Sequence, residues 1–135
     1  MSALENTHRH IIVADEDRDA VEQIVKTLRT DGHAVFHAYD VLAATQLAAN
    51  LTCCDLVISN TKVEGMEGVG LILQLRKMRP EVPVIYLANT GRSTPEIEGQ
   101  LPADVLILRE PFTAEKLRAA VAAKLDGNGT RPGTP

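Results

Sequence analysis

Strand-length apolar runs recur along this chain with helix-patterned segments between them, and that alternation constrains the fold more than any other feature. Ile11-Ile12-Val13, Leu56-Val57-Ile58, Val84-Ile85-Tyr86-Leu87-Ala88 and Val105-Leu106-Ile107-Leu108 are continuous apolar runs, the pattern of parallel strands buried on both faces. Residues 34–39 alternate as a further strand. Over residues 19–31, Val21, Ile24, Val25 and Leu28 fall at i, i+3, i+4 and i+7, and Gly32 follows at the position of a left-handed cap. Residues 41–51 read as an alanine-rich helix with Ala44, Leu47, Ala48 and Leu51 inward, and residues 69–78 as one with Leu71, Ile72, Leu75 and Met78 inward. A short helix is predicted over residues 95–101, and a last one after Thr113 with Leu117, Val121 and Leu125 inward. Five strands alternating with five helices imply an α/β domain built on a doubly wound parallel sheet with right-handed crossovers.

The chain has 135 residues, enough for one domain with a single core. Its formal net charge is −4 and its Lys and Arg residues are dispersed, which argues against direct nucleic-acid binding. No apolar run reaches membrane-spanning length and residues 1–10 carry no signal-peptide core, so a cytoplasmic protein without a membrane partner is expected. Cys53 and Cys54 are adjacent, a poor geometry for a disulfide, and read as reduced thiols. With His8, His10, His33 and His37 they match no recognised zinc-ligand spacing, and no Cys-His or Ser-His-Asp set is expected to converge. Residues 1–8 read as a disordered leader, 9–125 as the folded domain and 126–135 as a flexible tail or linker.

Chemistry in such a sheet belongs at the carboxyl ends of the strands. The run 56–58 leads to Asn60 and then to a loop punctuated by Gly65 and Gly68. Those glycines are turn residues, since G-x-x-G here lacks the Lys-Ser/Thr of a phosphate-binding loop. Asp15-Glu16-Asp17 ends the first strand. Acids there serve a helix N-terminus as readily as a metal.

Four fragments, in order and at matching spacing, carry a family resemblance: Ile11-Ile12-Val13-Ala14-Asp15-Glu16, Asp55 to Gly68, Pro83-Val84-Ile85-Tyr86-Leu87, and Arg109-Glu110-Pro111-Phe112. Together they resemble the response-regulator receiver domain. The resemblance implies a flavodoxin-like (CheY-like) five-stranded sheet of order 2-1-3-4-5 and a role in bacterial two-component phosphorelay signalling. In that family two acids after the first strand hold Mg²⁺, an Asp ending the third strand accepts a phosphoryl group, and a Thr or Ser and a Lys bind its oxygens. Asp15 and Glu16 match the acidic pair, whereas Asn60 stands at the acceptor, Ala88 at the Thr or Ser, and Glu110 at the Lys. Glu110-Pro111 matches a bond that is usually cis in the family.

These departures are expected to remove the chemistry. An amide is a poor nucleophile and cannot form an acyl phosphate. A unit charge about 4 Å from a phosphoryl oxygen, at an effective dielectric near 20, is worth roughly 4 kcal/mol, and Glu110 turns that attraction into repulsion. The resemblance therefore implies a non-enzymatic, phosphorylation-independent interaction module. Its only cofactor would be weakly held Mg²⁺ at Asp15, Glu16, the Asn60 carbonyl and the Lys62 backbone carbonyl. Asp15, Glu16 and Glu110 should crowd one another and raise a pKa, with the Lys62 ammonium as a substitute cation and Asn89 crowding the same space. Family analogy places the partner face at Arg92, Glu96, Glu98, Arg109 and Lys116, meeting a histidine kinase, an output domain, another regulator or a second copy of the chain. Two competing readings are phosphorylation on another acid such as Asp15, and a flavin- or nucleotide-binding domain, which the acids after the first strand disfavour.

Overall fold

The computed structural model describes residues 9–130. The strands are β1 (His10–Ala14), β2 (Ala34–Ala38), β3 (Leu56–Asn60), β4 (Val84–Ala88) and β5 (Leu106–Arg109). The helices are α1 (Arg18–Thr30), α2 (Val41–Asn50), α3 (Gly68–Met78), α4 (Pro95–Glu98) and α5 (Ala114–Thr130). All five strands are parallel in one sheet of order β2-β1-β3-β4-β5, the expected doubly wound arrangement.

The two-residue period of the strands divides the core. Ile11 and Val13 of β1, with Ile58 and Leu87, pack under Val21, Ile24 and Leu28 of α1 and Leu117 and Val121 of α5. Ile12 and Ala14, with Val57 and Tyr86, face Ala44 and Ala48 of α2 and Leu71, Ile72 and Leu75 of α3 on the other side. Central β3 and β4 are buried at all five positions, which is why they read as unbroken apolar runs.

Several local expectations change. Met78, the last residue of α3, is 40% exposed rather than inward. Leu47 and Leu51 pack only at the margin of the core, whereas Ala44 and Ala48 are fully covered: small residues allow α2 to approach the sheet closely there. α4 closes after one turn at Gly99, short of residue 101. The backbone of α5 runs to Thr130, since extending an established helix costs far less than starting one. Residues 1–8 and 131–135, read as leader and tail, lie outside the described residues.

The loop after β3 contains an unforeseen two-residue antiparallel ribbon, Lys62–Val63 with Met66–Glu67. Gly65 turns it at φ 101°, in the left-handed region that glycine adopts without steric cost. Gly68 then starts α3 against the end of β3, where an added Cβ would lie 1.7 Å from the Asn60 carbonyl oxygen. The ribbon and this close approach fix the Asn60 side chain at the carboxyl edge of the sheet.

Candidate functional site

Asp15, Asn60 and Glu110 converge at the carboxyl edge in a polar cleft of about 320 Å³ that Glu16, Asn89 and Arg92 also line. Each arrives on a different element. Asp15 follows β1 and is pinned by its own backbone N–H, which donates to Ala38 O at 3.1 Å. Asn60 ends β3. Glu110 follows β5, its N–H donating to Ala88 O at 3.0 Å, and the Glu110–Pro111 peptide is cis, as the resemblance implies. The acidic run separates by role. Asp17 caps α1, its Oδ1 accepting from the Asp19 and Ala20 N–H groups at 3.0 and 3.2 Å. Glu16 turns to Arg92, Oε2 to Nη1 3.3 Å, and Asp15 alone points into the cleft's buried end.

Asn60 organises that end. Its Nδ2 donates to Asp15 Oδ2 at 2.8 Å and to Glu110 Oε2 at 3.0 Å, while its Oδ1 accepts from the Thr61 N–H at 2.5 Å. Asn89 Nδ2 donates to Glu110 Oε1 at 3.1 Å. Two neutral amides therefore satisfy two carboxylates. The expected crowding by Asn89 is a hydrogen bond instead. Lys62 is exposed at the mouth and, among the described residues, forms no ion pair; the cation that pairs with an acid here is Arg92, because Lys62 lies on the outward face of the ribbon.

Asp15 is 2% exposed, and its pKa is raised to about 6. Burial is the main cause; hydrogen bonds from Asp17 N–H and Asn60 oppose it, and the charges of Glu110 and Asp17 add to it. The expected pKa rise is present, with burial ahead of charge repulsion.

The same geometry tests the fit to Mg²⁺. A hard cation takes oxygen ligands. Asn60 presents its NH₂ to the acids and turns its carbonyl oxygen to Thr61, contrary to the expectation that it would offer that oxygen to a metal. To ligate magnesium, Asn60 would have to turn its amide over and give up both carboxylate hydrogen bonds. In this orientation Asn60 supplies no oxygen to an ion, which leaves Asp15, Glu16 and the Lys62 backbone carbonyl as the groups that would hold one.

Thr61 was not singled out in the sequence. Its buried hydroxyl donates to Leu87 O and accepts from Asn89 N–H, both at 2.8 Å, tying the ends of β3 and β4 together beside Ala88. A hydroxyl directly after the last residue of a buried strand was the available signal. Of the proposed partner-face residues, Arg92 is drawn to the acidic cleft, while Arg109 Nη1 and Nη2 reach Glu98 Oε2 and Oε1 at 2.9 and 2.7 Å. Ser93 Oγ donates to the same Glu98 at 2.7 Å and meets Tyr86 Oη at 2.9 Å, so this face is tied to the core. Glu96 and Lys116 stay exposed on α4 and α5.

At the amino edge of the sheet one expectation is overturned. His10 and Cys53, 43 residues apart, are brought together with Nδ1 and Sγ at 3.3 Å, and Asp55 joins them. Parallel pairing of β1 with β3, Ile11 opposite Leu56, places the two strand entries side by side.

The family model for the response regulator receiver domain matches residues 11–122. The chain is 30% identical over 115 residues to the uncharacterized transcriptional regulatory protein YrkP of Bacillus subtilis (strain 168), covering 85% of this chain and 48% of that protein. It is 28% identical over 115 residues to the response regulator MprA of Mycobacterium sp. (strain KMS), covering 85% and 50%. The chain thus spans about half the length of these curated relatives. Among solved structures, a CheY-like response regulator receiver domain protein from Methanospirillum hungatei JF-1 superposes with TM-score 0.83 at 22% identity, covering 90% of this chain and 97% of that one. Among the described residues, no helix is long and apolar enough to cross a membrane. Sheet order, acidic edge and family match agree: the chain belongs to the response regulator receiver domain family of two-component systems.

Proposed function

We propose that this receiver domain works without phosphorylation, as an interaction module whose acceptor pocket is held closed by hydrogen bonds. The observation that carries this reading is the Asn60 fork between Asp15 and Glu110. By family resemblance, an acceptor carboxylate would face a Lys at these two positions. Here the amide faces a carboxylate, so donor and acceptor have exchanged sides and the contact survives with its polarity reversed. Asn60 lacks the anionic oxygen needed to attack phosphorus, and Glu110 would repel an incoming phosphoryl group. Ala88 has no hydroxyl to report one. Asp15 is a poor substitute acceptor, because it is buried and both its oxygens already accept hydrogen bonds, from Asp17 N–H and Asn60.

The output surface is the face built by α4, β5 and α5, with Glu96, Glu98, Arg109 and Lys116 contributing charge; Arg92 belongs to the pocket. The partner is a two-component signalling protein, a kinase or another regulator, that reads this fixed surface. The test treats the full chain with acetyl phosphate and Mg²⁺ and measures intact mass, beside an Asn60→Asp, Ala88→Thr, Glu110→Lys triple variant. The expected result is one added phosphoryl mass in the triple variant and none in the wild type. A phosphorylated wild type, with the label mapped to Asp15 or any other acid of the pocket, overturns the reading.

A further inference from the structure

The opposite edge of the sheet carries a second cluster of chemically capable side chains, unconnected to the acidic pocket. His10 opens β1, and Cys53 and Asp55 flank Cys54 in the connection from α2 to β3. One ligand atom from each of His10, Cys53 and Asp55 lies within 4.8 Å of the other two. Cys53 Sγ is 3.3 Å from His10 Nδ1, and that nitrogen is 3.7 Å from Asp55 Oδ2. A tetrahedral zinc ion with Zn–S near 2.3 Å and Zn–N and Zn–O near 2.0–2.1 Å sets its ligand atoms about 3.4–3.6 Å apart. The separations of 3.3 and 3.7 Å bracket that span.

The backbone holds two of the three groups in place. Asp55 N–H donates to His10 O at 2.8 Å, and His10 N–H donates to Asp55 Oδ2 at 2.8 Å, so both residues are fixed at the start of paired strands. The His10 ring lies nearly parallel to Phe36 on β2, 9° between planes with centroids 6.2 Å apart. Cys53 is exposed, which leaves a path for an ion and a position for water.

Two other uses of a Cys-His-Asp set fit less well. A nucleophilic relay needs the acid on the ring nitrogen remote from the thiol. Here thiol and carboxylate approach the same nitrogen, Nδ1, a convergence that suits a shared ion. A disulfide with Cys54 would join adjacent residues, and both thiols are free.

We propose that His10, Cys53 and Asp55 form a binding site for a thiophilic divalent cation of the zinc class, with the fourth position open to water. One thiolate, one imidazole and one carboxylate select a borderline-soft ion over Mg²⁺ or Ca²⁺. The ion ties the connection before β3 to the first strand, at the edge of the sheet remote from Asn60. This proposal does not depend on how the acidic pocket is read.

The test titrates the full, untagged, reduced chain with Co²⁺ and follows thiolate-to-metal charge-transfer absorption, then displaces Co²⁺ with Zn²⁺. The expected result is one equivalent bound. Cys53→Ser should abolish the charge-transfer band, and His10→Gln and Asp55→Asn should each weaken binding at least about tenfold. Cys54→Ser and Asp15→Asn should leave the band and the affinity unchanged, and unaltered far-ultraviolet circular dichroism should show that each variant is folded. Absence of the band in the wild type, or a band that survives Cys53→Ser and disappears in Cys54→Ser, overturns the site.

Discussion

The strand β3 joins two polar sites of opposite design: Asp55 at its entry, half-exposed beside His10 and Cys53, and Asn60 at its exit, buried between Asp15 and Glu110. At the exit, amide donors complete the hydrogen bonding of two carboxylates and little is left for an incoming ligand. At the entry, three ligand atoms of different chemistry face one another with solvent access. The comparison teaches that the presence of acids does not locate a reactive site. What matters is whether their neighbours have already satisfied them. At the carboxyl edge, where the family keeps its chemistry, amide donors bridge the acids; at the amino edge Asp55 takes a backbone N–H from His10 and still faces a thiol and an imidazole across solvent-accessible space.

The largest expected effect tests the packing behind the closed end. Gly68→Ala places a methyl group 1.7 Å from the Asn60 carbonyl oxygen, so the start of α3 must move. A loss of about 4 kcal/mol or more in urea unfolding is expected. A loss under 1 kcal/mol would mean that the end of β3 is far more yielding than its packing implies. Next, Asn60→Asp alone replaces two donated hydrogen bonds by a third carboxylate between Asp15 and Glu110. It should cost about 3 kcal/mol at neutral pH, with part recovered on adding Mg²⁺. A neutral result would remove the contrast between the two ends.

The pH dependence sharpens the same point. Asp15 has a folded-state pKa of about 6, above its ordinary 3.8, so the folded protein holds the extra proton between those values. Stability from this group is therefore present in the acid part of that window and is lost as pH rises through about 6. The change is on the order of 2 kcal/mol once solvent at the cleft mouth is allowed for. Asp15→Asn should flatten the slope, and an unchanged slope would assign it elsewhere. At the entry of β3, Asp55→Ala removes the acceptor of the His10 N–H and should cost only about 1 kcal/mol, measured by thermal unfolding without metal. Lys62→Ala should change stability by less than about 0.5 kcal/mol, because no ion pair is lost; a larger drop would restore Lys62 as the pocket's cation.

The fold was legible because buried parallel strands need continuous apolar runs and their covering helices need a single apolar stripe. Ile11 to Val13, Leu56 to Ile58 and Val21 to Leu28 satisfy those demands without ambiguity. The ribbon at Lys62–Val63 was not legible, since two-residue pairing leaves no period to detect. At the exit of β3, the departures at Asn60, Ala88 and Glu110 were readable one residue at a time, but their joint effect was not. Charge counting alone asked for a cation and nominated Lys62, whereas side-chain geometry supplied amide donors from Asn60 and Asn89. The meeting of His10 with Cys53 was hidden for a different reason. It depends on strand register across 43 residues, and ligand spacing along a sequence carries no information about that.

The most direct test of the closed pocket is a crystal soaked in beryllofluoride with Mg²⁺, a stable mimic of the phosphorylated state. The account predicts no beryllofluoride at Asn60, with its amide still bridging Asp15 and Glu110. Beryllofluoride seated on Asn60 beside Asp15 and Glu16, with the bridge broken, would contradict it.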